Sequence, residues 1–99
     1  SVLKKKDVFA LTVNGDSMID AFIDNGDMVL MEPIKDPNTL KNGNIVSAMV
    51  PGFGTTLKYF MKKGNKVFLE AANPRYDPIE LNLEDVIFQG KLLAVWRKI

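Results

Sequence analysis

Val13-Asn14-Gly15-Asp16-Ser17-Met18-Ile19-Asp20-Ala21-Phe22-Ile23-Asp24-Asn25-Gly26-Asp27 is a polar, glycine-punctuated stretch between two apolar runs, Val8 to Val13 and Met28 to Met31. It reads as a strand entering a tight turn, a short helical turn, and a second strand leaving. Phe9, Leu11 and Val13 alternate onto one face of the first run, the period of a half-buried strand. Ser17 stands at the bend. With Asp20 three residues on, it has the spacing of a helix cap through Phe22. Asn25-Gly26 supplies positive φ cheaply and ends the turn.

Outward from this stretch, the chain continues as short strands. Met28 to Glu32 is stopped by Pro33, and Ile34 to Gly43, with Pro37 and two asparagines, is a loop. Asn44 to Val50 and Thr55 to Lys62 form a hairpin across Pro51-Gly52-Phe53-Gly54. Lys66 to Glu70 and a short Ile79 to Leu81 follow, with a two-proline loop between them. The last strand runs from Val86 to Arg97, with Gly90 as its bulge or bend. Strands at this spacing predict a mainly β fold, a small partly open barrel or sandwich of short, mostly antiparallel strands. Ser1 to Asp7 reads as a leader or linker remnant, and residues 8–99 as one domain.

Composition narrows the chemistry. Ninety-nine residues, 46% hydrophobic and 25% charged, suit a single globular domain. No apolar run approaches the ~18 residues of a membrane span. No signal-peptide pattern stands at the start. The chain has no cysteine, so it offers no disulfide or thiol chemistry, which suits the cytoplasm. Net charge is +1, and the only dense basic run is Lys4-Lys5-Lys6, so this chain does not read as a DNA binder by itself. Histidine is absent, which excludes a Ser-His-Asp triad and His-based zinc sites. A base here must be Lys, Asp, Glu or Tyr.

Asp16, Asp20, Asp24 and Asp27 do not fit the spacing of a calcium-binding loop and read as solvated carboxylates; no metal and no cofactor is expected. Lys58 has a different setting. Thr56, Lys58 and Phe60 share one face of their strand, and Leu57, Tyr59 and Met61 the other. Apolar neighbours on both sides place the lysine where burial disfavours its ammonium. A neutral amine can accept a proton from a serine hydroxyl. A solvated strand lysine and a plain turn serine have the same local patterns.

Gly15-Asp16-Ser17-Met18, Asn25-Gly26-Asp27, Lys41-Asn42-Gly43-Asn44-Ile45-Val46 and Thr56-Leu57-Lys58, in that order, resemble the C-terminal peptidase domain of the SOS repressor LexA. The tails Asn73-Pro74-Arg75-Tyr76-Asp77-Pro78-Ile79 and Gly90-Lys91-Leu92-Leu93-Ala94-Val95-Trp96-Arg97 continue the likeness, which runs from about Phe9 to Arg97. The longer hairpin with Gly52-Phe53-Gly54-Thr55 is more similar to cyanobacterial LexA-type proteins. Some of those are thought to have lost the serine–lysine pair; this chain keeps both residues.

The resemblance implies an autoproteolytic serine–lysine peptidase. Ser17 is its nucleophile, Lys58 its base, and the backbone N–H groups of Asp16 and Ser17 its oxyanion hole. It implies a homodimer through the C-terminal strands, where Trp96 by itself reads as core, and stimulation of cleavage by the RecA–single-stranded-DNA filament. DNA contact would come only through an N-terminal domain. The family's scissile Ala-Gly or Cys-Gly bond does not occur in this chain, so the cleavage segment is expected to be missing along with that domain. Tyr76 reads as a structural loop anchor. Two other readings stand beside this one: a catalytically silent dimerisation module, and a UmuD-like partner of a translesion polymerase.

Overall fold

The computed structural model describes residues 7–98, so the Lys4-Lys5-Lys6 run and most of the expected leader lie outside the described residues. Seven strands form one antiparallel sheet: β1 (Phe9–Thr12), β2 (Met28–Pro33), β3 (Ile45–Val50), β4 (Gly54–Lys63), β5 (Lys66–Glu70), β6 (Ile79–Asn82) and β7 (Ile87–Trp96). Their spatial order is β1-β2-β7-β3-β4-β5-β6. The sheet curls into a half-barrel with β1 and β6 at its open edges. The expected strands are all present, within a residue or two of the boundaries read from the sequence.

The order joins two sequence-local units through the last strand. β1 and β2 pair across the Ser17 stretch, and β3 to β6 form a meander of sequential neighbours. β7 returns to pair with β2 on one side and β3 on the other. It does so with two register shifts. One residue, Leu93, is extra against β2, and another, Gln89, is extra against β3. Such bulges bend a strand and strengthen its twist, as curling over two partners requires.

Gly90 lies beside the second bulge and meets the structure by close approach. A Cβ there would stand 2.6 Å from Phe9 Cζ and 2.9 Å from Met31 Cβ. The ring of β1 thus reaches past β2 onto the bare backbone of β7.

Two apolar clusters hold the curled sheet. One gathers Val46, Ala48, Val50, Phe60, Val67, Leu69 and Phe88, with Phe60 and Phe88 edge to face at 5.5 Å. The other gathers Met18, Ile23, Val29, Met31 and Ala72, with Leu57 and Tyr59 packed against it. Alternation along β4 therefore sends Phe60 to the first cluster and its neighbours to the second. Trp96 is not core: it is 62% exposed, because its pleat faces outward with Met28 beside it.

Candidate active site

The β1–β2 connection is pinned before it widens. Val13 N–H donates to Asp27 O and Gly26 N–H to Val13 O, both at 2.8 Å. Gly15 then turns the chain at φ +93°, where a Cβ would be strained, and its N–H donates to Asn25 Oδ1 at 2.8 Å. A 3-10 turn follows over Ile19–Ala21. Met18 and Ile23, each 1% exposed, anchor the loop in the second cluster.

Ser17 sits half-buried just ahead of that turn, and its hydroxyl does not cap it. The N-cap position falls to Met18, without a side-chain bond, and the Asp16 carbonyl takes the Ile19 N–H at 3.2 Å. The expected capping role is thus replaced by a backbone bond, and the hydroxyl is left for another partner.

That partner is Lys58. Its Nζ lies 3.0 Å from Ser17 Oγ, 2.6 Å from Thr56 Oγ1 and 3.2 Å from the Leu57 carbonyl oxygen. The residue is 7% exposed, and its stem runs beside its cross-strand neighbour Val46 on β3. Burial pushes its pKa below the ordinary lysine value. An amine and a hydroxyl at this separation are within proton-transfer reach. Two residues far apart in sequence meet because the β3–β4 hairpin and the β1–β2 loop both lean on β7.

The Ser17 loop is also gripped from the far side by residues Ala72 to Tyr76. Asp20 N–H donates to Ala72 O at 2.8 Å. Asn73 Nδ2 donates to the Asp16 carbonyl at 2.9 Å, and Tyr76 Oη donates to Asp16 Oδ1 at 2.6 Å. The bond to Asp16 raises the Tyr76 pKa. Tyr76 is therefore the loop anchor its position implied. The N–H groups of Asp16 and Ser17 make no hydrogen bond among the described residues. An open cleft of about 740 Å³ runs past them, lined by Phe9, Leu11, Ser17, Thr56 and Lys58 among others.

Asp27 departs from its expected role as a solvated carboxylate. Its side chain is 3% exposed and takes a two-pronged bond from Arg97: Nε to Oδ1 and Nη2 to Oδ2, both 2.8 Å. The Arg97 bond, helped by the Asp24 N–H, holds its pKa down to about 2. Arg97 Nη2 also donates to the carbonyl of Phe22, which adopts a left-handed φ of +63°. Sequence reading missed this clamp and the Asn73 tether, because nothing local pairs residues on such distant segments. Thr56 was recognisable in part, from its place two residues before Lys58 on the same strand face. No group of residues able to hold a metal ion occurs among the described residues.

A curled antiparallel half-barrel with a serine hydroxyl and a buried lysine amine facing one open cleft has the outline of a peptidase domain. The chain matches the Peptidase S24-like family over residues 1–93 and belongs to that family. It is 35% identical over 96 residues to a "Transcription regulator LexA" of Synechocystis sp., covering 97% of this chain and 47% of that protein. It is 44% identical over 89 residues to a "LexA repressor" of Ruegeria sp., covering 90% and 36%. It is 42% identical over 93 residues to a "LexA repressor" of Koribacter versatilis, covering 94% and 43%. The chain thus spans less than half the length of these curated relatives. No helix among the described residues is long and apolar enough to cross a membrane.

Proposed function

We propose that this chain is the self-cleaving peptidase part of a LexA-type repressor of the SOS response, acting in the cytoplasm, with Ser17 as nucleophile and Lys58 as general base. The observation that carries this reading is the 3.0 Å separation between Lys58 Nζ and Ser17 Oγ, with the amine buried. In the neutral amine, two N–H groups donate to Thr56 Oγ1 and Leu57 O, and the lone pair is left for the serine proton.

Lys58 accepts that proton as Ser17 Oγ attacks the scissile carbonyl carbon. The N–H groups of Asp16 and Ser17 receive the oxyanion. The C–N bond breaks, and the lysine returns the proton to the leaving amine. Water, deprotonated by Lys58, then hydrolyses the ester and frees Ser17. No cofactor enters these steps.

The substrate is an Ala-Gly or Cys-Gly bond, a dipeptide that does not occur in this sequence. A RecA–single-stranded-DNA filament favours the cleaving arrangement. Residues 8–99 also dimerise through the C-terminal strands. Two outward rows, Ala10–Leu30–Ala94 and Thr12–Met28–Trp96, support this as a largely apolar surface across three strands. Trp96→Glu is expected to leave a monomer in sedimentation equilibrium; an unchanged dimer refutes this interface.

The test of the chemistry joins the chain to its upstream cleavage segment and follows self-cleavage against pH. The rate rises toward alkaline pH as Lys58 loses its proton, RecA filaments accelerate it, and Ser17→Ala abolishes it. Cleavage that persists in Ser17→Ala rejects the nucleophile and leaves the silent dimerisation module as the better reading.

A further inference from the structure

We infer that Asn73 is a positioning residue for the oxyanion hole, acting through the Asp16 carbonyl, with Tyr76 as a second tether on the same residue. The inference rests on the proposed peptidase reading and adds to it the groups that orient the backbone donors.

The Asp16–Ser17 peptide is planar and trans, so its C=O and N–H point in opposite directions. Whatever fixes the carbonyl fixes the N–H. Asn73 Nδ2 holds that carbonyl at 2.9 Å, and the Ile19 N–H shares it at 3.2 Å. Asn73 is itself 9% exposed and braced, since its Oδ1 accepts the Arg75 N–H at 3.0 Å. The carbonyl is therefore drawn toward the buried Asn73 side chain, and the Ser17 N–H is turned away from it, free of any partner among the described residues. Tyr76 Oη, 2.6 Å from Asp16 Oδ1, stops the residue rotating about its own Cα. A donor held in place before the reaction needs no reorganisation when the charge forms, which is where oxyanion holes gain their effect.

Asn73→Ser tests this directly. Serine can still accept the Arg75 N–H in a turn of the same kind, but is too short to reach Asp16. In the chain joined to its cleavage segment, the alkaline plateau of the cleavage rate should fall roughly tenfold or more, against the ~10²–10³ seen when a donor is removed outright. The pH midpoint should not move, because Lys58 is untouched. Tyr76→Phe, which keeps the exposed ring and removes only the hydroxyl, should lower the plateau about two- to tenfold, again with the midpoint fixed. Both plateaus within twofold of the parent, with Ser17→Ala inactive, overturn the positioning role alone. So does a shifted midpoint with an unchanged plateau. Cleavage that survives Ser17→Ala overturns the peptidase reading, and this inference with it.

Discussion

Thr56→Val separates the two jobs that the surroundings of Lys58 perform. As an ammonium, Lys58 has three N–H donors and three acceptors at 2.6, 3.0 and 3.2 Å, so the charged form is fully bonded. As an amine it keeps two donors, and the shorter bond to Thr56 Oγ1 sets where the lone pair points. Valine is nearly the same shape and removes only the acceptor. A hydrogen bond to a charged group is worth ~1.5–3 kcal/mol. The neutral amine loses a weaker bond of ~0.5–1.5 kcal/mol, so only the difference, on the order of 1 kcal/mol, moves the alkaline midpoint of cleavage, down by somewhat under one pH unit at ~1.36 kcal/mol per unit. The sign is definite: losing an acceptor penalises the protonated form and adds to the lowering that burial already causes. The plateau should fall at the same time, because the lone pair is no longer steered at Ser17. The assay is the first-order rate of self-cleavage measured across neutral to strongly alkaline buffers. A midpoint that stays put or rises would refute the account of Lys58 as a buried base held by Thr56.

Lys58→Arg should be inactive at every pH, since guanidinium does not deprotonate in proteins; any alkaline-activated cleavage in that variant removes the base. Gly90→Ala drives a Cβ to 2.6 Å from Phe9 Cζ and 2.9 Å from Met31 Cβ. The ring can swing, but the Met31 Cβ moves only with its strand. Overpacking of this kind costs ~1–3 kcal/mol. At roughly 4–8 °C per kcal/mol, calorimetry should find a clearly lower Tm, and an unchanged one would contradict the close approach. Arg97→Gln should raise the pH of acid unfolding followed by circular dichroism. Asp27 is held at about 2 when folded, below its unfolded value of 3.8, so its contribution is complete above that value and is lost as pH falls toward 2. Coincident acid titrations of variant and parent would show that the clamp does not couple to folding.

The strands were legible because each side chain of β1 to β6 answers to its nearest neighbours. Phe9, Leu11 and Val13 alternate, Gly15 and Gly26 bracket the bend, and Thr56, Lys58 and Phe60 do share a face. What no alternation carries is which strand lies between which. β7 could have closed the sheet at an edge; instead it divides β2 from β3. Two extra residues, Gln89 and Leu93, let it follow both partners. The same long-range choice hid Asp27 from Arg97 and Asp16 from Asn73. It also buries the Ser47 hydroxyl, at 0% exposure and without a hydrogen-bond partner among the described residues, where β3 meets Gly90 of β7. An orphaned hydroxyl is unfavourable in such a place. It stands on the seam where Gly90 admits Phe9 and Met31, so the crowded join between the two halves tolerates a small residue on each strand. Ser17 and Lys58 each stand in a short local motif, but the 3.0 Å between them is reached only in a fold where β7 holds the two halves side by side.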